Sequence, residues 1–548
     1  MHRPSQPVRP SGGSLAGRRF PFVSPRVAVT TAAESAARDA AAIASGIPSR
    51  ALMRAAGLLA AAEITHRYQH RLHRGVAVYA GAGNNGGDAW VVAGALAASG
   101  IAVHVVEVAE ARTPDAIAEK AAAIPLIESG DPHGGEEIIV DGILGTGAKG
   151  APTGAVADAI TRINRRRALG AAVVSLDVPS GVNATTGESA GAVSASCTLT
   201  FGTLKRGLLV ARGASGTIVV LDIGLGPPLT SGPPKRKSGR ADQASAALPP
   251  PVLVDPTWVM RHLPPIAADA HKGDRGKVAI VGGAPGMAGA VILAARAARS
   301  AGAGMVKVVA HADSLATITT AVPEALTAPW PKNDIEATTV IGDWADAMLI
   351  GPGLGASQSG LVSNLLKANA LPVVLDADAL NAFAGKIAAL GKLLAGREAL
   401  ITPHALECAR LTGLSVDDVL ARRFDLGRDV ARDVQAVLLL KGVPTIISSP
   451  EGERLVSATG TPVLATGGSG DVLGGIAVAL LAQGVGALHA GALAAYVHGR
   501  AAEVAQGTRP VRGSVLEDVM VALPSVWDER PLQPRVPVLA ELPAVGAS

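Results

Sequence analysis

A glycine-rich loop near the end of the chain constrains the fold more than any other feature. It reads Ala-Thr-Gly-Gly-Ser-Gly-Asp over residues 465–471, and an apolar run follows over 472–482. The glycines allow positive φ angles that turn backbone N–H groups to one side, and the apolar run predicts a helix. An anion would bind at the N-terminus of that helix, with Asp471 at its edge. A carboxylate there takes a proton from a hydroxyl that attacks phosphate; the alternative is a turn with an acidic cap.

The composition indicates an α/β protein with more than one domain. A chain of 548 residues exceeds the usual size of a single domain. Hydrophobic residues make up 48% of it and aromatic residues only 2%, so the core must be built from small aliphatic side chains on closely packed helices and strands. The two cysteines, Cys197 and Cys408, are far apart in the sequence and have no metal-ligand spacing. They indicate a reduced, cytoplasmic protein without structural disulfides.

Positive charge is concentrated in two segments outside the expected domains. Residues 1–26 hold five arginines and no acidic residue, and residues 235–242 hold four basic residues and one aspartate. These segments carry more than the net charge of +4, so the remainder is slightly acidic and a nucleic-acid partner is not expected. We interpret 1–26 as a disordered basic tail and 226–249 as a Pro/Lys/Arg-rich linker. Every long apolar run is interrupted by polar residues, so a membrane partner is not expected either.

In the first half, a strand, a glycine-rich loop and a helix follow one another. The loop Gly81–Asp88 lies between a strand at 74–79 and a helix that ends near Ala98. This order is typical of a right-handed crossover unit, which places the loop at the carboxyl edge of a parallel sheet, where ligands bind. Two later predicted strands also end in aspartates, Asp141 and Asp177.

Three acidic side chains are therefore expected on one edge of the first sheet. Asp88, Asp141 and Asp177 would repel one another unless a cation or a substrate proton joins them. Asn84 and Asn85 add side-chain carbonyl oxygens, which suit an alkali or alkaline-earth ion. Taken singly, each aspartate is more often a turn or cap residue. Taken together, they favour a site.

The second half repeats this arrangement with different residues. Its predicted strands end near Gly353, Asp376, His404 and Lys441. Alone, His404 is more often a structural cap and Lys441 a surface charge. Because parallel strands end at the same edge, we expect both to contact a nucleotide or its acceptor beside the glycine-rich loop.

Several motifs resemble those of two known domains. Residues 27–225 resemble the NAD(P)H-hydrate epimerase domain through Asn84-Asn-Gly-Gly-Asp88, Asp141-Gly-Ile-Leu-Gly-Thr-Gly147 and Asp177-Val-Pro-Ser-Gly181. Residues 250–528 resemble the ADP-dependent NAD(P)H-hydrate dehydratase through His271-Lys-Gly, Gly351-Pro-Gly-Leu-Gly355, Thr402-Pro-His404, Lys441-Gly442 and Gly467-Gly-Ser-Gly-Asp471. The resemblance implies an α/β protein with an N-terminal Rossmann-like three-layer domain on a parallel sheet. It also implies a C-terminal ribokinase-like α/β domain, followed by a C-terminal tail at 529–548.

The resemblance further implies repair of hydrated nicotinamide cofactors, NADHX and NADPHX. The N-terminal domain would interconvert the R and S hydrates, and the C-terminal domain would dehydrate the S hydrate with ADP, releasing AMP and phosphate. The chemistry suits the residues, because hydroxide is a poor leaving group near neutral pH whereas phosphate leaves readily. Asp471 would be the base on the hydrate hydroxyl, and the glycine-rich loop would stabilise the charge on the phosphoryl group.

Individual residues receive roles by the same resemblance. A potassium ion in the N-terminal domain would be held by Asn85, Asp141 and Ser180. Asp177 would transfer the proton there, and the hydrate would contact Asn84, Asn85, Gly86, Gly87, Asp88, Gly145, Thr146, Gly147, Ala148, Lys149, Gly150, Ala151 and Asp177. In the C-terminal domain, the hydrate would contact Ala288, Gly353, His404 and Asp471. ADP, bound with magnesium, would contact Lys441, Gly442, Val443, Pro444, Thr445 and Gly470.

The chain departs from the usual motifs at three places. Ala89 stands in place of a glycine, Arg54-Ala55 in place of Glu-Asn, and Ala405-Leu406 in place of Pro-Gly. The first two bear on the efficiency of the epimerase.

Two other functions fit parts of the sequence. One is a small-molecule kinase of the ribokinase superfamily with a regulatory N-terminal domain, since such enzymes share the glycine-rich loop and its aspartate. The other is a binding module in which the N-terminal half has lost catalysis, against which the retention of Asp141 and Asp177 argues. The alanine-rich helices are compatible with a homo-oligomer.

Overall fold

The computed structural model describes residues 26–128, 130, 132–226, 249–356, 358–529, 535 and 537–545. The basic tail predicted at 1–26 lies outside these residues except for Arg26. The predicted linker lies outside them except for Gly226 and Pro249. Disorder in both segments stays a prediction. Among the described residues, no helix is both long enough and apolar enough to cross a membrane.

The first domain alternates strands with helices, as the glycine-loop pattern predicts. Its strands are β1 (Val29–Thr30), β2 (Val76–Ala80), β3 (Val103–Glu107), β4 (Ile138–Gly142), β5 (Ala172–Leu176), β6 (Cys197–Phe201), β7 (Leu204–Lys205) and β8 (Thr217–Leu221). Its helices are α1 (Ala32–Ala44), α2 (Ser49–Tyr68), α3 (Asn84–Ala98), α4 (Pro114–Ala123), α5 (Gly154–Ala168), α6 (Arg206–Val210) and α7 (Arg212–Ser215). Strands β8, β6, β5, β4, β2 and β3 lie side by side in that order and are all parallel.

Helices cover both faces of this sheet, so its strands read as continuous apolar runs. Val76 and Val78 of β2 pack in one core with α2 and α3, whereas Ala77 and Tyr79 pack on the other face with α5. All five residues of β2 are buried. This is the three-layer arrangement that the sequence predicts.

The second domain is built on a larger sheet. Its strands are β9 (Val252–Leu253), β10 (Lys277–Gly282), β11 (Met305–Ala310), β12 (Leu326–Pro329), β13 (Ala347–Ile350), β14 (Val373–Leu375), β15 (Ala399–Ile401), β16 (Val437–Leu440), β17 (Thr445–Ser448) and β18 (Arg454–Ser457). They lie in the order β12, β11, β10, β13, β14, β15, β16, β17, β18, β9. Pairing is parallel except where β17 runs antiparallel to β16 and β18.

Helices cover this sheet as well. They are α8 (Pro256–His262), α9 (Ala288–Ser300), α10 (Ala312–Ala321), α11 (Asp334–Ala337), α12 (Ser359–Ala368), α13 (Asp378–Asn381), α14 (Ile387–Leu394), α15 (Ala405–Thr412), α16 (Val416–Ala421), α17 (Arg423–Val434), α18 (Ser469–Ala482), α19 (Ala487–Thr508) and α20 (Leu516–Trp527). Short 3₁₀ turns lie at Leu72–Arg74, Pro462–Leu464 and Val511–Gly513, and a π turn at Thr338–Gly342.

Small residues let the helices of the second domain approach closely. Helix α18 packs against α9, and a Cβ added at Gly475 would lie 2.3 Å from the Ala294 carbonyl oxygen. Any side chain at that position would force the two helices apart. With few aromatic side chains to fill its core, the second domain is instead packed by close contact between helices.

The end of the chain differs from the tail expected at 529–548. Residues Val538–Leu542 form β19, which pairs antiparallel with β8 and completes a seven-stranded first sheet. Glu541 accepts a hydrogen bond from Arg67 of α2 at 2.6 Å, and Arg535 donates to Glu63 at 2.6 Å. The sequence gives no strong strand signal here, since the strand lies at a sheet edge and its partner is more than 300 residues away.

A shared apolar cluster joins the two domains. It includes Leu208 from α6, Phe424 from α17 and Val456 from β18. Beside it, Asp425 accepts hydrogen bonds from Arg206 at 2.8 Å and from Arg454 at 2.5 Å. The first domain is thus fixed against the second by both apolar and ionic contacts.

Candidate active sites at two sheet edges

The first site is centred on Asp177, directly after β5. This aspartate has a φ of 63°, which lies in the left-handed region. Its Oδ1 is 2.5 Å from the Nζ of Lys205, and the lysine is only 1% exposed. Lys205 also donates a hydrogen bond to the Phe201 carbonyl at 2.9 Å. The structure thus fixes a buried ammonium beside the predicted proton-transfer group.

Two further carboxyl groups share this environment. Burial raises the pKa of Asp88 well above its ordinary value, and the charges of Asp177 and Asp39 raise it further. Burial also raises the pKa of Asp39. The charge of Lys205 opposes this shift, and the charge of Asp177 adds to it. Asp88 is therefore biased toward its protonated form beside an ion-paired Asp177.

A hydrogen-bonded network lies behind this pair. Asp141 is fully buried and accepts from Ser180 Oγ at 2.5 Å and from Ser175 Oγ at 2.8 Å. Burial raises the pKa of Asp141, and these hydrogen bonds oppose the shift. Ser180 Oγ also accepts from the Leu144 N–H at 2.9 Å, and Leu144 O accepts from Asn85 Nδ2 at 2.9 Å. The structure therefore brings together all three predicted cation ligands.

One atom of this network has no partner. The Oδ1 of Asn85 is buried and accepts no hydrogen bond from any described residue. An orphaned carbonyl oxygen beside Ser180 and Asp141 completes a set of hard oxygen donors, which a potassium ion fits.

The predicted hydrate-binding segments meet at this edge. Residues Asn84–Asp88 form the first turn of α3 rather than a loop before it. The segment 145–151 is largely half-exposed or exposed, and a Cβ added at Gly145 would lie 3.1 Å from the Asn85 Cβ. The departure Ala89 is buried, and a Cβ added at Gly142 would lie 2.5 Å from its methyl group. Ala89 thus packs into the core, whereas Arg54 is exposed.

The second site lies where the glycine-rich loop crosses the ends of β14 and β16. Lys441 Nζ is 2.8 Å from Asp376 Oδ1 and 3.7 Å from Glu407 Oε2. A Cβ added at Gly470 would lie 3.3 Å from both Asp376 Oδ2 and Lys441 Nζ. The glycine therefore lets the loop lie directly over the ion pair, with Asp471 as the third residue of α18.

The carboxyl group of Asp471 has a raised pKa in this site. Burial raises its pKa to about 7, the charges of Asp376 and Asp378 contribute, and Lys441 opposes them. Burial alone would lower the pKa of Lys441, but Asp376 and Glu407 reverse this and raise it. The site thus combines the Lys441 ammonium with a carboxyl group whose pKa lies near neutral.

His404 combines a structural and a site role. It caps α15, where its Nδ1 accepts from the N–H groups of Leu406 and Glu407, both at 3.2 Å. Its side chain remains 49% exposed, and a β-bridge pairs the residue with Lys441. Because Nδ1 accepts, Nε2 is the donor of the neutral ring, and it lies 3.5 Å from Glu407 Oε1.

The remaining predicted contacts lie around the same edge. Gly353 has a φ of 54°, and a Cβ there would lie 2.7 Å from the carbonyl oxygen of Met287, which precedes Ala288 at the start of α9. In the segment 441–445, Gly442 and Val443 are exposed, and Thr445 Oγ1 donates to the Gly442 carbonyl at 2.9 Å. Gly353 thus packs against the start of α9, and residues 442–445 follow Lys441 in the turn that leads into β17.

The sequence analysis missed several groups that the structure places in these sites. In the first site they are Lys205 and Asp39, and in the second Glu407 and His498. His498 of α19 is 5% exposed, and burial lowers its pKa to about 4, with Lys441 adding to the shift. A histidine inside an apolar run is the signal that marks His498, whereas Lys205 is followed by Arg206 and has no such signal.

The fold and the polar residues at the two sheet edges are those of an α/β enzyme with two candidate active sites. Residues 278–524 match the NAD(P)H-hydrate dehydratase family model, and residues 49–207 match the model described as YjeF-related protein N-terminus. The bifunctional NAD(P)H-hydrate repair enzyme of Moorella thermoacetica is 35% identical over 511 residues, 88% of this chain and 92% of that one. That of Salinibacter ruber is 36% identical over 526 residues, 88% and 93% of the two chains. The chain belongs to the family of bifunctional NAD(P)H-hydrate repair enzymes.

One solved structure is similar to half of this chain. The ADP/ATP-dependent NAD(P)H-hydrate dehydratase of Bacillus subtilis, co-crystallised with ATP and Mg²⁺, is 28% identical. It covers 50% of this chain and 96% of its own, with a TM-score of 0.45. The family and the α/β fold class predicted from the sequence motifs are thus confirmed by the family models, the relatives and the sheet topology.

Proposed function

We propose that the first domain interconverts the R and S hydrates of NADH and NADPH, and that the second dehydrates the S hydrate with ADP. The observation that carries this assignment is Asp471, a base whose pKa burial raises to about 7, at the end of a glycine-rich loop over the half-buried ammonium of Lys441. Each half of the chain matches a different family model, which supports two activities on one chain.

In the dehydratase site, Asp471 would take the proton of the hydrate hydroxyl. The hydroxyl oxygen then bonds to the β-phosphorus of ADP, and the bond to the AMP oxygen breaks. The C–O bond to the phosphate then breaks, and the neighbouring carbon loses a proton. The double bond of the reduced ring is thereby restored. Lys441 and the N–H groups of the glycine-rich loop would stabilise the negative charge that develops on the phosphoryl group.

Magnesium fits the carboxylates of this site. Asp376 faces Gly470, and Asp378 and Glu407 lie close by, so hard oxygen ligands surround the place expected for the phosphates. A bound magnesium ion would neutralise phosphate charge. His404 would donate from Nε2 to the hydrate, and the segment 441–445, exposed at Gly442 and Val443, would contact the nucleotide.

In the epimerase site, Asp177 and Asp88 would divide the proton transfers. Inverting the carbon that bears the hydroxyl requires its C–O bond to break and to re-form on the other face. One group must give a proton to the leaving hydroxyl, and another must take a proton from the water that adds back. Asp88, biased toward its protonated form, would be the donor, and Asp177, held by Lys205, the acceptor.

Potassium in the first domain would be held by Asn85, Asp141 and Ser180. The buried, unpartnered Oδ1 of Asn85 supports this choice within the described residues. A bound ion would supply a fixed positive charge behind the hydrate. The segments 84–88 and 145–151 would then contact the hydrate itself.

The proposal is tested by following the absorbance of reduced nicotinamide after the purified chain meets mixed R and S hydrates. Parallel reactions contain ADP, ATP or no nucleotide. Recovery from both epimers with ADP is the expected result, and recovery that stops once the S hydrate is consumed would show an inactive epimerase. A phosphorylated small molecule formed without any recovery would instead support the kinase alternative. We expect a cytoplasmic enzyme, and its mass by light scattering tests for a homo-oligomer.

A further inference from the structure

A cluster of imidazole and carboxylate groups lies outside both active sites. It consists of His104 on β3 and Glu128 and His133 in the segment between α4 and β4. One ligand atom from each of the three side chains lies within 4.8 Å of the others. The ring centroids of His104 and His133 are 4.4 Å apart. Neither proposed reaction uses any of these groups.

The cluster lies away from the edge of the first sheet that holds Asp88 and Asp177. His104 is the second residue of β3 and pairs with Ala77, the second residue of β2. Asp88 and Asp177, in contrast, follow the carboxyl ends of their strands. The cluster therefore lies near the opposite end of the strands, on β3, which is an edge strand of the sheet.

One of the imidazoles is buried and incompletely satisfied. His104 is only 3% exposed, and its Nδ1 has no hydrogen-bond partner among the described residues. Its Nε2 is 3.2 Å from Glu128 Oε2. Two ligand atoms of a tetrahedral zinc ion lie about 3.4 Å apart, given its bond lengths. The spacing of this nitrogen and oxygen already matches such a site.

A buried carboxylate lies next to both histidines of the cluster. Glu136 is 4% exposed, and its Oε1 is 3.9 Å from His104 Nδ1 and accepts the His133 N–H at 2.6 Å. Arg166 holds the same residue by donating to its carbonyl oxygen. A metal-ligating histidine usually directs its second nitrogen toward a carboxylate of this kind, which fixes the ring orientation.

We infer that His104, Glu128 and His133 form a zinc site that fixes the segment between α4 and β4 to the edge of the first sheet. Two imidazole nitrogens and one carboxylate oxygen are a ligand set that zinc prefers. Glu128 and His133 are exposed, so water would complete the coordination. The ion would stabilise the first domain and would take no part in either reaction.

The test uses the full chain without a polyhistidine tag, stripped with EDTA and titrated with zinc chloride in excess magnesium, which occupies the nucleotide site. We expect one zinc ion per chain, and a visible absorption spectrum of four-coordinate geometry when cobalt replaces zinc. His133→Ala should weaken zinc binding by at least about 100-fold, and Glu136→Gln by about 10–100-fold. The control His66→Ala, an exposed histidine on α2, should bind like the parent chain.

Zinc should also raise the melting temperature of the parent and of His66→Ala but not that of His133→Ala. Circular dichroism verifies that each variant folds, and Glu128→Gln, at a half-exposed position, is a second ligand variant. Equal zinc binding by His133→Ala and His66→Ala, or no zinc bound by the parent chain, would overturn the inference. Both repair activities are measured alongside, and their loss on zinc removal would also overturn it.

Discussion

The two active sites each place a lysine ammonium against an aspartate at the end of a strand, but they leave different groups unpaired. In the first site, Lys205 pairs at 2.5 Å with Asp177, the proposed proton acceptor itself. In the second, Lys441 pairs at 2.8 Å with Asp376, and burial raises the pKa of Asp471, the proposed base, to about 7. In the proposed mechanisms, this kind of ion pair orients the proton acceptor in the first domain and supplies a positive charge for phosphate in the second.

The difference follows from what each reaction must stabilise. Phosphoryl transfer develops negative charge on the phosphate, so an ammonium near the glycine-rich loop is useful and a separate base must be supplied. Epimerisation involves no phosphoryl group, so the ammonium of Lys205 can be committed to holding Asp177. Replacing single members of each pair tests this comparison.

The largest effect is expected from Asp471→Asn. Removing the general base should lower the rate of S-hydrate dehydration by about 10³-fold, since general-base catalysis contributes about 10²–10⁴-fold. Epimerisation should be unchanged, because Asp177 and Asp88 lie in the other domain. The matched control is Asp417→Asn, an exposed aspartate on α16. Separate assays of epimer exchange and of ADP-dependent recovery measure the two rates, and an unaffected dehydratase would remove Asp471 from the mechanism.

A double-mutant cycle tests the ion pair of the first site. Lys205→Met should leave Asp177 without its partner and lower the free energy of unfolding by about 3 kcal/mol, with loss of epimerisation. Adding Asp177→Asn should restore part of this stability, because the unpaired charge of Asp177 is then gone. It should not restore the activity. Denaturant unfolding and the epimer-exchange assay measure both. Additive stability losses would show that the pair is not coupled.

The pH profile separates the two sites further. Because Asp471 must be ionised to act and its pKa is about 7, kcat/KM of dehydration should level off above pH 8 and fall about tenfold per unit below pH 6. The contribution of Asp471 to the free energy of unfolding has the opposite pH dependence, because folding raises the pKa of this group from 3.8 to about 7. The contribution is therefore present below about pH 4 and is lost as the pH rises through 7. A dehydration rate that is flat between pH 5 and 8 would contradict the assignment.

The smallest effect is expected from Ala89→Gly, which restores the more usual motif. The Ala89 methyl group is fully buried, and it packs against Gly142 at the end of β4. Epimerase turnover should therefore change by less than about twofold, while the free energy of unfolding falls by about 1 kcal/mol because glycine disfavours a helix interior. A large gain in epimer exchange would instead show that the departure at residue 89 weakens the first site.

Much of the fold was predictable because it is encoded locally. The helix start after the glycine-rich loop, the crossover unit around Asn84–Asp88 and the aspartates that end strands all depend on a few neighbouring residues. The strand Val538–Leu542 was not predictable in this way, since it gains its pairing only from β8. Lys205 was missed for a related reason: a lysine followed by an arginine reads as exposed until the fold buries it.

By itself, the sequence determined the family, the α/β class and the residue types at each sheet edge. Short motifs carry that information, because glycine conformations and strand ends are local properties. Only the tertiary structure decided which charges pair: Lys441 with Asp376 and not with Asp471, and Lys205 with Asp177. It also brought His104 to Glu128 and Glu136. Pairing and burial depend on distances between residues that are remote in the chain, and those same distances set the pKa of each carboxyl group.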